Sequence, residues 1–242
     1  MARRRFFVDS VHGGRAVLSG DDARHLRQVL RAQPGQRYEL SDNQAVYLAE
    51  IEGFGPDRVS FRIVEPLAAE EPPVRAHLCL ALVKFDRFEW AVEKATELGA
   101  ERIVPVEAAR SEKGLERAAR KRIERWRKIA RESAQQARRA RLPEIAGPVP
   151  FAAALDAPGL RIFLDEQPGA PPLLAALRAS RNQTNLVSLL IGPEGGWTDD
   201  ERSRALASGW TAAGLGPTIL RAETAVAAAL AITCAAYLTK GE

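Results

Sequence analysis

The residues best placed to do chemistry in this 242-residue chain lie in two glycine-bearing segments near its C-terminus. The first is Ile191-Gly-Pro-Glu-Gly-Gly-Trp197, with three glycines and a proline in the six residues after Ile191. Such a run lets backbone approach a ligand closely and fixes an unusual turn. The second, Leu215-Gly-Pro-Thr-Ile-Leu-Arg-Ala-Glu-Thr-Ala225, runs into a helical stretch and sets Arg221, Glu223 and Thr224 at its start. Carboxylates and hydroxyls also cap helix N-termini, so Glu223 and Thr224 fit a structural role as well as a chemical one. Other chemistries leave no mark. No GxGxxG follows the first strand of an α/β unit, and no GxxxxGK[ST] or GxSxG is present, which argues against dinucleotide, P-loop and hydrolase sites. His12, His25 and His77 have no ligand spacing with one another or with Cys79 and Cys234, so no protein-held metal is expected. The two cysteines read as small buried hydrophobes.

The elements that must position these segments follow from hydrophobic periodicity. Residues 1–66 predict short strands at Phe6–Val8, Arg15–Leu18, Gln36–Leu40, Ala45–Ile51 and Arg58–Val64, each bounded by turn residues. One helical piece interrupts them, capped by Asp21 or Asp22, with Leu26, Val29 and Leu30 on its apolar face. This pattern predicts a small β-barrel. The proline-rich, acidic stretch Pro66–Pro73 reads as a linker. Beyond it strand and helix alternate. Strands are expected at His77–Val83, Arg102–Val106, Arg161–Leu164, Asn185–Ile191 and Trp210–Ala213. Helices are expected at Phe85–Leu98 (stopped by Gly99), Leu115–Ala140, Pro171–Ala179 and Ala222–Lys240, and Thr198-Asp-Asp-Glu201 is a capping box that opens one more. The near-continuous apolar run Asn185–Ile191 suits a strand buried on both faces. The alternation predicts an α/β domain with a mostly parallel sheet. Both glycine segments then follow strand ends, where open α/β sheets bind ligands.

Net charge is +4, but it is unevenly spread. Residues 110–141 hold 13 Lys/Arg against 4 Asp/Glu, and residues 1–31 hold 7 Arg against 3 Asp, which leaves the remainder acidic. Concentrated basic patches on an acidic chain point to a polyanion partner, against the plainer reading of a solvated helix face. No apolar stretch reaches the length of a membrane span, and MARRRFF lacks the apolar middle of a secretory signal, so a cytoplasmic protein is expected.

The ordered pair GPEGGW (192–197) and LGPTILRAETA (215–225) resembles the ribosomal small-subunit RNA uridine-N3 methyltransferase family of the SPOUT superfamily. RRFFV (4–8), HLRQVLR (25–31), EKATELGA (93–100), WRKIARESAQQARR (126–139) and LPEI (142–145) carry the resemblance along the chain. It implies a PUA-like barrel with linker over 1–72, and over 73–242 an α/β methyltransferase domain with a trefoil knot. It further implies a homodimer, S-adenosylmethionine as cofactor, and 16S rRNA of the small ribosomal subunit as substrate.

Carried onto this chain, the cofactor loops are 164–166, 191–196 and 215–221. Leu164, Glu166, Ile191, Gly192, Pro193, Gly196, Leu215, Gly216, Leu220 and Arg221 are the implied cofactor residues. Methyl transfer to N3 of uracil needs alignment of nucleophile and donor and a group to take the imide proton. Glu223 or Glu194 fits the base, and Arg221 fits the O2/O4 edge. Arg4, Arg5, His25, Arg31, Lys84, Arg127, Arg131, Gln135, Arg138 and Arg139 are the implied RNA contacts. His25 fits a packed barrel residue equally well, and Lys84 and Arg87 suit either RNA or a dimer partner. Competing expectations are a SPOUT enzyme acting on a ribose 2′-hydroxyl or a guanine of another RNA, and a non-catalytic ribosome-assembly protein.

Overall fold

A computed structural model describes residues 4–167, 169–180 and 182–238. The chain divides into two compact units, Met1–Glu71 with Arg131–Leu142, and Pro72–Ala130 with Pro143–Glu242.

The first unit is built on six strands: β1 (Arg5–Phe7), β2 (Val11–His12), β3 (Arg15–Ser19), β4 (Arg37–Ser41), β5 (Val46–Phe54) and β6 (Arg58–Leu67). They lie in the order β1-β4-β5-β6-β3-β2, all antiparallel except β1 on β4, a sheet that fits a small barrel. The turn-bounded strands predict five of the six, β2 being only two residues long, and β3 alternates exposed and buried along its length. Phe6, Leu18, Leu26, Leu40, Ile51 and Phe61 form its core, and Phe6 packs edge-on against Tyr38. β6 continues through Pro66 and Leu67, which pair with Tyr47 and Val46, so the expected linker starts later than its composition indicates.

The helical piece differs from expectation. α1 (Gly20–Arg24) passes into a π-helical turn, His25–Val29, closed by Leu30 N–H on the His25 carbonyl at 3.1 Å. The wider turn shifts the helix phase, so Leu26 is buried while Val29 is 65% exposed. Ser19 is the N-cap and makes no side-chain bond. Asp22 is drawn away from capping by Arg131 Nε at 3.0 Å and Gln135 Nε2 at 2.9 Å.

The second unit is a parallel sheet flanked by helices. Its strands are β7 (Arg75–Ala81), β8 (Ala100–Glu107), β9 (Glu144–Ile145), β10 (Val149–Pro150), β11 (Leu160–Leu164), β12 (Leu186–Ile191) and β13 (Thr211–Ala213). The order is β10-β8-β7-β12-β11-β13, with β9 also on β8. Its helices are α2 (Phe85–Glu97), α3 (Leu115–Arg120), α4 (Ile123–Gln136, whose last residues belong to the first unit), α5 (Phe151–Ala154), α6 (Leu173–Ser180), α7 (Asp199–Ala207) and α8 (Ala222–Leu238). Central β12 sends Val187, Leu189 and Ile191 into one core with α2, α6 and α8, and Leu190 into another with Phe151, Trp197 and Trp210. Burial on both faces is why it reads as a near-continuous apolar run, broken only by Ser188, whose hydroxyl donates to the Pro158 carbonyl at 2.7 Å.

The expected single helix over 115–140 is two. Tight i→i+3 closures at Lys121 and Arg122 end α3, and the new phase seats Trp126 4.4 Å from the Phe88 ring. α4 stops at Gln136, where Arg138 takes φ 53 and Arg139 N–H bonds the Ala134 carbonyl, a Schellman-type end with arginine at the left-handed position. Ala137, just past the helix end, is exposed. The short β9, β10 and α5 carry too few residues to show a period. Thr239 and Lys240, expected at the end of the last helix, lie outside the described residues.

Candidate functional site

Strands β12, β11 and β13 run parallel and adjacent, so their carboxyl ends bring three loops to one place. A cavity of about 240 Å³ opens there. Every implied cofactor residue except Arg221 lines it: Leu164, Glu166, Ile191, Gly192, Pro193, Gly196, Leu215, Gly216 and Leu220. Asp165, Glu194, Trp197, Thr218 and Ile219 line it as well.

The glycines are required by what surrounds them. Gly196 sits at φ +67, and a Cβ there would come 2.4 Å from Glu166 Oε1. A Cβ on Gly192 would lie 3.0 Å from the Trp197 ring. Trp197 is fully buried, packs on Phe163 at 5.0 Å and donates its indole N–H to the Leu164 carbonyl at 3.0 Å. That bond ties the glycine turn to the end of β11.

Two arginines outside the implied set hold the loops. Arg202 Nε reaches Asp165 at 3.1 Å, Nη2 reaches Glu166 at 2.9 Å, and Nη1 donates to the Trp197 carbonyl at 2.8 Å. Arg110 Nη1 donates to the carbonyls of Gly195 at 2.8 Å and Trp197 at 3.1 Å. The capping box at Thr198 forms as expected, and Glu201 goes further, accepting from Ala109 N–H at 2.8 Å. The α7 cap thus also fastens the segment that carries Arg110.

Of the catalytic candidates, Glu194 lines the cavity and pairs with Arg87 at 3.1 Å. Glu223 stands in the first turn of α8, where Ala222 and Ala225 line the cavity and Glu223 itself does not. Its Oε2 is buried without a hydrogen-bond partner among the described residues. Arg221 is exposed and outside the cavity lining. Ile219, at the rim, is 85% exposed.

The implied RNA contacts separate into two groups. Several are engaged within the first unit: Arg5 and Arg138 both hold Glu39, and Arg131 and Gln135 hold Asp22. Arg4 pairs with His25 at 2.9 Å, and Arg127 pairs with Glu124 at 2.6 Å. Arg31, at φ 50, is exposed, as are Lys84 and the Arg4 and Arg127 side chains, while Arg139 is half-buried. Among the described residues there is no cluster of three metal-binding side chains, and no helix is long and apolar enough to cross a membrane.

Comparison with known proteins agrees with this geometry. Residues 70–234 match the RNA methyltransferase domain family and residues 18–64 the RNA methyltransferase PUA domain. The chain is 31% identical to ribosomal RNA small subunit methyltransferase E of Bacillus subtilis, covering 93% of this chain and 92% of that one. It is 34% identical to the protein of that name from Mycobacterium tuberculosis, covering 95% and 90%. Among solved structures it is similar to ribosomal RNA small subunit methyltransferase E of Neisseria gonorrhoeae bound to S-adenosyl methionine. That match has a TM-score of 0.84 and 26% identity, and covers 95% and 96% of the two chains. A Legionella pneumophila methyltransferase in complex with the same cofactor also gives 0.84, with 28% identity over 98% of each chain. The chain belongs to the ribosomal RNA small subunit methyltransferase E family.

Proposed function

We propose that this chain is an S-adenosylmethionine-dependent methyltransferase that modifies N3 of a uridine in 16S rRNA of the small ribosomal subunit. One observation carries the reading: the 192–196 and 215–221 loops close on a single cavity at the ends of parallel strands, with Gly196 bared against Glu166. The residues fit the cofactor. Ile191, Leu215, Ile219 and Leu220 offer an apolar wall for adenine, and the glycines at 192 and 196 let backbone approach a ligand closely. Asp165 and Glu166 supply carboxylates suited to hydroxyl or cationic groups. When bound, the cofactor supplies an electrophilic methyl group on a sulfonium.

What this chain adds is positioning and proton handling. Arg202 and Arg110 hold the loop backbone in one geometry before substrate arrives, the preorganisation on which an in-line transfer depends. Glu223 is the better candidate to take the N3 proton, since one of its oxygens has no partner while Glu194 is engaged by Arg87. Arg221, exposed beside Glu223, is suited to meet the O2/O4 edge of an unstacked base. We extend the reading to a PUA-like RNA-binding domain with linker over 1–72, a knotted methyltransferase domain over 73–242, a homodimer, and action in the cytoplasm. Arg4, His25, Arg31, Lys84, Arg127 and Arg139 are its RNA contacts, and Arg5, Arg131, Gln135 and Arg138 shape the surface through their internal pairs.

Nucleoside mass spectrometry of 16S rRNA from a strain lacking the gene tests this. Loss of 3-methyluridine, restored by the intact gene, is expected; an unchanged level together with loss of a ribose or guanine mark overturns it. Glu223→Gln is expected to lower kcat by about 10²–10⁴ with little change in cofactor affinity, and an unchanged kcat removes Glu223 from catalysis.

A further inference from the structure

We propose that the first unit carries a phosphodiester-binding site in the small cleft between the π-helical turn and the β5–β6 hairpin, with Arg27 and Arg58 gripping one RNA phosphate. The cleft is lined by Ala23, Arg24, Arg27, Gln28 and the hairpin residues 55–58. Both arginines are organised by the same glycine. Arg27 Nη1 donates to the Gly55 carbonyl at 3.3 Å. The Arg58 side chain lies across the face of Gly55, where a Cβ would come 2.8 Å from Arg58 Cγ and 3.1 Å from Nε. The hairpin is closed beneath them by Gly55 N–H on the Arg58 carbonyl at 2.8 Å.

Carboxylates match most arginines of this unit; Arg4 and Arg31 also lack one among the described residues, but of the unmatched only Arg27 and Arg58 line the cleft. Arg5 and Arg138 are matched by Glu39, Arg131 by Asp22, and Arg37 and Arg62 by Glu50. Within the cleft, Arg24 pairs with Asp21 and also faces Asp57. Arg27 and Arg58 have no carboxylate partner among the described residues. Two guanidiniums anchored on one backbone position and left unneutralised form a fork for a phosphate oxygen pair. The π turn that holds Arg27 there does so while exposing Val29, a cost typical of turns kept for function.

The inference rests on RNA as the substrate, yet its test stands apart from methylation. Affinity for a structured 16S rRNA transcript is measured against salt, with S-adenosylmethionine binding and thermal melting as controls on folding. Arg27→Ala and Arg58→Ala are each expected to reduce the slope of log K against log salt by up to about 1, and the double variant by about 1 rather than 2, because both serve one phosphate. Gly55→Ala keeps both charges but displaces Arg58, so it also lowers the slope; Arg62→Ala leaves it unchanged. Additive loss of about 2 in the double variant, or an unchanged slope, overturns the proposal. A slope that falls as expected in a protein that methylates no uridine upholds this site and rejects the enzymatic reading.

Discussion

Gly196→Ala is the substitution whose consequence can be worked most fully from the structure. The residue sits at φ +67, where an L side chain costs about 1–2 kcal/mol of backbone strain. The new methyl would stand 2.4 Å from Glu166 Oε1, so Glu166 must leave the position in which Arg202 holds it at 2.9 Å. Strain falls on the loop itself, and the lost carboxylate position falls on the cavity wall. Together they amount to about 2–3 kcal/mol against the binding-competent loop, or roughly 30- to 150-fold weaker cofactor affinity. Isothermal calorimetry with S-adenosylmethionine reads this directly, and melting in the absence of ligand shows whether the rest of the chain is intact. A cycle with Glu166→Ala separates the two parts: without the carboxylate the methyl has room, so Gly196→Ala in that background should cost only the backbone share. Affinity within about twofold of the parent would refute the argument that this turn must stay bare, and full additivity in the cycle would refute the contact with Glu166.

Other perturbations follow from the same contacts. Arg202→Met leaves Asp165 largely buried without its cation and frees the Trp197 carbonyl, and is expected to destabilise the chain by about 2–4 kcal/mol in urea unfolding while weakening cofactor binding. Glu39→Gln removes the shared partner of Arg5 and Arg138, and Arg138 then keeps its left-handed backbone without the pairing that offsets it. Limited proteolysis should open the 137–142 segment in that variant and leave the parent uncut. Acidification acts through β7 and β8. Burial holds the His77 imidazole below its ordinary 6.5, and Arg75 holds the Glu101 carboxyl below its ordinary 4.5. In each case the folded state binds its proton more weakly than the unfolded chain, so stability is fully present above these values and is lost as pH falls. Melting temperature should begin to drop below about pH 6.5 and drop again below about pH 4.5. His77→Gln should flatten the first decline and keep the second.

What local pattern determined is the longer elements and the location of the cavity; β2, β9, β10, α5 and the break between α3 and α4 left no readable period. β12 is apolar but for Ser188 because both faces are covered, the Thr198–Glu201 box caps α7, and the glycines at 192–196 and 216 mark turns that follow strands. These are properties of neighbouring residues, so period and turn chemistry carry them. The partnerships of the arginines were decided only by the tertiary structure. Arg110 reaches Gly195 across 85 positions, Arg202 reaches Asp165 across 37, and Arg138 reaches Glu39 across 99. A basic run reads the same whether its charges face RNA or an internal carboxylate, and the structure assigned most of the first unit's arginines to carboxylates. The phase of short helices was equally out of reach. A single widened turn at His25–Val29, or an i→i+3 closure at Lys121, rotates every later side chain, and nothing in the residue types records it.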